Sequence, residues 1–208
     1  MVFFATARVT QFMAELFCAA GVPVMDIHSR KSQGARTRTS NEFRAAAAAI
    51  MFTSDVSARG MDYPDVSFVL QVGSASSREQ YVHRIGRSGR AGKSGQGLVL
   101  LSDWESFFLN DIRDLPVKPF PSASAPGFGN IAQQPRLQQA ISRVASTATG
   151  NASSERASQA YQAWLGYYNG LQRRLHWNPT QLVNSCSCSC CSRPHSRSSC
   201  MCRCSCSC

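Results

Sequence analysis

The chain has 208 residues, room for one complete domain with an appendage but not for a large multidomain enzyme. Hydrophobic residues make up 43% and charged residues 16%, a balance that buries a core and excludes wholesale disorder. Lys and Arg exceed Asp and Glu by 22 to 12, which favours a polyanionic partner, nucleic acid or an anionic membrane surface. The excess is uneven: residues 1–120 carry 14 basic and 11 acidic side chains, whereas residues 121–208 carry 8 basic ones and Glu155 as the single acid. No apolar run approaches the roughly 20 residues that span a bilayer, and the first residues reach Arg8 before a signal-peptide core forms. Nine of the ten cysteines fall between Cys186 and Cys208, so the body is expected to be a soluble, intracellular, reduced domain without a disulfide framework.

In chain order, Val2 to Ala5 reads as a strand, Val9 to Ala20 as a helix closed by Gly21, and Val24 to Ile27 as a second strand. Gln33 to Ala47 suits a helix and Ala48 to Thr53 a strand. Val66 to Val72 suits a strand, Arg78 to Arg84 a helix and Gly97 to Leu101 a last strand. This alternation predicts parallel βαβ units in a doubly wound α/β layer. Pro116, Pro119, Pro121 and Pro126 with Gly127 and Gly129 break the pattern and mark a linker. Beyond it Ala157, Tyr161, Trp164, Tyr168, Leu171 and Leu175 recur at helical spacing, a face expected to pack against a domain, with base stacking as the other reading. The expected organisation is an α/β domain over 1–115, a linker over 116–130, a basic helical extension over 131–184 and a disordered Ser/Cys/Arg tail over 185–208.

The strongest local signal is the run Tyr81 to Arg90, a helix entering a Gly-punctuated basic turn. Arg87 and Arg90 there offer planar, permanently charged donor forks suited to a phosphate. Phe52 to Asp62 opens a strand end into a loop of hydroxyls, glycine and carboxylates, and Ile27 to Arg36 places polar groups just past another strand. Strand C-terminal ends are where open α/β sheets bind ligands, so the clusters describe one ligand-facing rim. Cys18 is expected in the core, His28 packed at a strand end and His176 capping the extension. Trp104, Phe107 and Phe108 are expected to anchor the last helix of the domain.

Val2 to Thr6, Gln33 to Arg36, Ser54 to Asp62 and His83 to Arg90 resemble, in order, the C-terminal motifs of DEAD-box RNA helicases. The stretch from Ile27 to Gln33 and the helix around Ala160 to Trp164 most resemble fungal mitochondrial members, whose helical extension contacts RNA. The resemblance implies a RecA-like parallel sheet flanked by helices, of the P-loop NTPase type, covering about residues 1 to 120. It implies Arg87 and Arg90 as arginine fingers on the ATP γ-phosphate and Asp62 on the ribose. With Asp62, it implies Arg59, Gly60 and His83 as cofactor-binding residues, and Arg59 and His83 would also couple the domain to its partner domain. Gln33, Arg36, Ser54 and Gly60 would lie along the RNA backbone, contacting phosphate and 2′-hydroxyl rather than sequence. Ser54 replaces the more usual Thr and keeps the hydroxyl.

No Gly-x-x-x-x-Gly-Lys-Ser/Thr loop and no Asp-Glu-Ala-Asp box occurs in the chain. Gly92-Lys93-Ser94 only imitates the end of a phosphate loop, because five residues separate it from Gly86 and no strand directly precedes it. ATP and Mg2+ would therefore be held mainly by an N-terminal RecA-like domain in cis, and the chain alone is expected to be inactive. Met1 is expected to mark a truncation within the domain, exposing a strand edge and lowering solubility or stability. The alternating Cys-Ser tail lacks the separated Cys-x-x-Cys pairs of a zinc site, and no metal is expected there. The compartment implied is intracellular, with the mitochondrial matrix following from the subfamily and no membrane contact. The alternative function is a non-catalytic module that binds RNA or a helicase partner.

Overall fold

Side chains of an extended chain point alternately to opposite faces, and the first four residues bury both. Met1 and Phe3 join a cluster with Ile27, Met51, Tyr63, Val66 and Val69, while Phe4 joins Ala14 and Phe52 in another. Burial on both faces is the requirement of a covered parallel sheet. The computed structural model describes residues 1–57, 63, 66–90, 94–120, 135, 138–139, 142, 152–178 and 180–182. Its five strands are β1 (Val2–Phe3), β2 (Met25–Ile27), β3 (Met51–Thr53), β4 (Phe68–Val72) and β5 (Gln96–Leu100). All pair in parallel in the order β2-β3-β1-β4-β5, with Val2 opposite both Phe52 and Leu70.

Helices cover both faces. α1 (Ala7–Ala19), capped by Thr6 Oγ1 accepting from Val9 N, lays Val9, Met13 and Phe17 on the Phe4 and Phe52 side. Phe17 and Phe52 meet edge to face with centroids 5.0 Å apart. α2 (Gln33–Ala45) and α3 (Arg78–Ile85) supply Phe43 and Ile85 to the opposite face. α4 (Phe107–Asp111) closes a third cluster, in which Phe108 and Ile112 pack with Ala75 and Tyr81.

The predicted α/β layer is present in the predicted element order, with three local corrections. β3 begins at Met51 rather than Ala48, because Ala47 to Ile50 are exposed and alanines offer a strand little apolar area to bury. Cys18 is exposed, not in the core, since the apolar stripe of α1 runs through Val9, Met13 and Phe17 and leaves Cys18 to one side. Trp104 is 37% exposed, so Phe107 and Phe108 anchor α4 without burying it.

Glu105 is 1% exposed and ties the region together: Oε1 accepts from Ser74 N at 2.7 Å and Oε2 from Ser102 N at 3.0 Å. Replacing Glu105 with alanine leaves these amides without their carboxylate, so denaturant unfolding should show a loss of about 2 to 3 kcal/mol. A change below about 0.5 kcal/mol would contradict this assignment.

The Met1 ammonium donates to Phe68 O at 2.7 Å, and burial lowers its pKa from 8.0 to about 6. Between those values the unfolded chain binds more protons than the folded one, so stability rises with pH. Raising pH from 6 to 8 should stabilise the 208-residue polypeptide by about 2 kcal/mol, and Nα-acetylation should abolish that slope in urea titrations.

The chain divides into compact units after Trp164, inside the segment expected to be a single extension. α5 (Ala152–Gly170) spans this division; in the first unit Ala160 is buried and Arg156 pairs with Glu15. In the second, Tyr168 and Leu175 are buried. Tyr161 is 41% exposed, so the buried face passes through Ala160 instead. α6 (Gln172–Leu175) ends at His176, which adopts φ 53° and donates its backbone N–H to Gln172 O, the expected cap. Residues 116–120 are exposed and lack regular structure, whereas 121–130 and the tail from 185 lie outside the described residues. Among the described residues no helix is long and apolar enough to cross a membrane.

Candidate functional site

The ends of β2 and β3 are joined by a short polar network. Thr53 Oγ1 donates to Ile27 O at 2.9 Å and Ser54 N to the same carbonyl at 3.3 Å. Ser54 is thereby held at the sheet's C-terminal edge, only 7% exposed. Past β2 the chain turns tightly, with Lys31 N donating to His28 O, and Ser32 then caps α2 by accepting from Ala35 N. This places Gln33 exposed on the first turn of α2 and Arg36 half-buried one turn on, its Nε buried and making no hydrogen bond.

Sequence reasoning missed the residues that join this edge to the arginine turn. Arg84 is fully buried; its Nε donates to Asp55 Oδ1 at 2.6 Å, its guanidinium lies 5.6 Å from the Phe3 ring centroid, and Nη1 and Nη2 make no hydrogen bond. Asp55 opens a short 3-10 turn directly after Ser54. The available signal was helical spacing: Gln80, Tyr81 and Arg84 share the buried face of α3, and a charge on such a face requires a partner. Gln71 Nε2 also donates to Tyr81 O at 3.3 Å, fixing α3 to β4.

Beyond Gly86 both predicted arginines fold back on the helix end. Arg87 is 9% exposed and its Nε donates to His83 O at 3.2 Å, while Arg90 Nε donates to Gly86 O at 2.7 Å. The two guanidiniums are thus oriented by carbonyls three residues apart, with the His83 side chain exposed beside them. Gly89 sits at φ 66°, and a Cβ on Gly95 would stand 2.3 Å from Gly89 N, so backbone packs on backbone there and leaves no space for a side chain. Arg59, Gly60 and Asp62, and the imitation phosphate loop through Gly92 and Lys93, lie outside the described residues.

Asp26 lies at the outer end of this edge. Burial pulls its carboxyl pKa upward, but His28 and Lys31 more than reverse this and hold it below the usual carboxylate range. Among the described residues no group of three or more His, Cys, Asp or Glu is placed to hold a metal ion.

Residues 1–92 match the helicase conserved C-terminal domain. DEAD-box ATP-dependent RNA helicase 26 of Oryza sativa subsp. japonica is 47% identical over 169 residues, which are 81% of this chain and 29% of that protein. The mitochondrial ATP-dependent RNA helicase MSS116 of Phaeosphaeria nodorum is 44% identical over 160 residues, 77% of this chain and 27% of that one. The chain therefore spans under a third of the length of these curated relatives. The solved structure of Mss116p DEAD-box helicase domain 2 bound to an RNA duplex superposes with a TM-score of 0.63 at 24% identity. It covers 88% of this chain and 68% of that one, and it shows that the sheet and its helices form a RecA-like fold. Residues 1–92 are therefore a helicase conserved C-terminal domain, in a chain that shares close to half its residues, over about four-fifths of its length, with DEAD-box ATP-dependent RNA helicases.

Proposed function

We propose that this chain is the C-terminal half of an ATP-dependent RNA helicase, supplying arginine fingers for ATP hydrolysis and backbone contacts for RNA. The observation that carries the reading is the buried Arg84–Asp55 pair, which joins the turn bearing Arg87 and Arg90 to the loop after Ser54. A nucleotide contact at one end and an RNA contact at the other would then share a single rigid connection. Two guanidiniums held by carbonyls, with little freedom left to lose, suit a triphosphate terminus. Bound ATP supplies the phosphoanhydride bond whose cleavage powers the cycle; Arg87 and Arg90 neutralise and orient the transferring group.

Mg2+ and most phosphate contacts belong, on this reading, to an N-terminal RecA-like domain in cis. His83 and Arg59 would face that domain, Asp62 the ribose, and Gln33, Arg36, Ser54 and Gly60 the RNA backbone without regard to sequence. The mitochondrial designation of the Phaeosphaeria relative supports the matrix as compartment, and import of the tagged full-length protein into isolated mitochondria checks it.

Joined to a phosphate-loop domain, the chain should turn over ATP in an RNA-stimulated manner and unwind a short duplex, whereas the 208-residue chain alone should do neither. Turnover by the chain alone, or none by the joined protein, would defeat the proposal. The excess of 8 basic residues over one acid in residues 121–208 favours a second reading, a module that grips RNA without catalysis. Salt-sensitive RNA binding that an added N-terminal domain leaves unchanged would select it.

A further inference from the structure

The peptide unit between Arg87 and Arg90 rests on the residue that leads into β5. A Cβ on Gly95 would lie 2.3 Å from Gly89 N, 2.7 Å from Gly89 Cα and 2.8 Å from Ser88 C. All three are backbone atoms of the link between Ser88 and Gly89, so no side chain can rotate away to make room. Gly95 is not among the described glycines of positive φ, which are Gly21, Gly73 and Gly89. Its own backbone would accept any residue; what the position demands is space.

Which side of this contact yields depends on how each is held. β5 is fixed to β4 through five residue pairs, from Phe68 opposite Gln96 to Val72 opposite Leu100. Gln96 N, the amide that follows Gly95, donates to Ser67 O at 2.9 Å. The turn is anchored at its start, where Arg87 N donates to Arg84 O and Ser88 N to Ile85 O, both at 3.1 Å. Beyond Ser88 the backbone leaves the helix, so the stretch from Gly89 to Arg90 is the side that gives.

We infer that Gly95 is a positioning residue for the arginine turn. Its missing side chain lets the Ser88–Gly89 peptide settle on the start of β5, and this sets where the two guanidiniums stand. The role rests on the arginine-finger reading of Arg87 and Arg90. Alanine at position 95 reaches an ordinary van der Waals separation from Gly89 N only after a displacement of about 1 Å. That displacement pulls against the carbonyls of His83 and Gly86, which orient Arg87 and Arg90. A misplacement of this size lowers a rate by about 10²-fold when it falls on groups that stabilise the transition state.

The test compares Gly95→Ala with Gly97→Ala in the chain joined to a phosphate-loop domain, following kcat, KM for ATP, RNA affinity and Tm. Gly97 is the matched control on the same strand: its Cβ would stand 2.0 Å from Ile85 Cδ1 and 2.8 Å from Ile85 Cγ1, side-chain atoms that a rotamer change carries away. Gly95→Ala is expected to lower kcat about 10²-fold, with KM and RNA affinity within about threefold of wild type. Gly97→Ala should lower Tm and leave kcat within about threefold. In single-turnover assays, Gly95→Ala combined with Arg90→Ala should lose far less than the product of the separate losses, because the misplaced group is already gone. Gly89→Ala strains the same turn from its own side, through its φ of 66°, and should also lower kcat. Normal kcat in a folded Gly95→Ala, or in Gly89→Ala where Gly95→Ala does not fold, overturns the positioning role. A kcat loss matched by Gly97→Ala, or fully multiplicative losses in the double variant, overturns it equally, and all of these leave the fingers standing. Normal turnover in Arg90→Ala defeats the arginine-finger reading itself, and the role of Gly95 with it.

Discussion

Replacing Arg90 with alanine in the chain joined to a phosphate-loop domain is expected to lower RNA-stimulated ATP turnover by about 10³- to 10⁵-fold, with far less effect on nucleotide-independent RNA binding. Arg90 is the cleaner of the two proposed fingers to remove. It holds Gly86 O from a half-exposed position, so its loss removes little buried contact. Arg87 is 9% exposed and its stem is packed, so alanine there would lower turnover and stability together. Lysine at position 90 keeps the charge but not the planar fork and should recover only a small part of the rate. If both guanidiniums act on one phosphoryl group as proposed, the double variant should fall short of the product of the single losses. Turnover within about threefold of wild type in Arg90→Ala would refute the finger role.

Removing the partner of Arg84 is the second large effect. Asp55→Ala leaves a fully buried guanidinium facing only an aromatic ring, and breaking buried pairs in this way costs about 3 to 5 kcal/mol. The Asp55 side chain is itself 38% exposed, so water entering the vacated space places the expected loss near the lower figure, about 3 kcal/mol. For a chain of this size that lowers Tm by about 6 to 12 °C. The contrasting variant is Arg84→Met with Asp55→Ala, which removes the charge along with its partner and should recover most of the stability. In the joined protein the same double variant should still lose RNA stimulation of ATP turnover, because the connection from the Ser54 loop to the arginine turn is gone. A doubly substituted protein with normal RNA stimulation would show that the pair serves stability alone.

The layered fold was legible because the strands are short, mostly apolar runs and α1, α2 and α3 each follow a capping hydroxyl. Thr6, Ser32 and Ser77 all accept from the first turns that follow them, and Gly21 N donates back to Cys18 O. The clusters at Gln33 to Arg36, Ser54 and Arg87 to Arg90 were legible from ordered local motifs. What joins them was not. The contact between Asp55 and Arg84 spans 29 residues of sequence, and neither position looks unusual until α3 turns a charge inward. Glu105 escaped notice for the same reason, since it reads as a surface acid and instead serves two backbone amides from 1% exposure. Cys18 shows the opposite error: an apolar type on a helix was assigned to the core, although α1 offers the sheet only part of its circumference.

The central position of β1 has a consequence for how the chain acquires its fold. Val2 and Phe3 form no hairpin; their pairing partners are Phe52 and Thr53 on one side and Leu70 and Gln71 on the other. This central strand therefore depends on contacts of high sequence separation, and its loop-closure entropy must be overcome before either ladder forms. During synthesis, a chain extended only through β3 has β1 paired on one side, with the other edge and the Phe3 and Phe4 side chains exposed to association. Closure waits for β4. Substitutions that weaken β4 should therefore slow folding and increase aggregation of nascent chains before they alter the finished protein's chemistry.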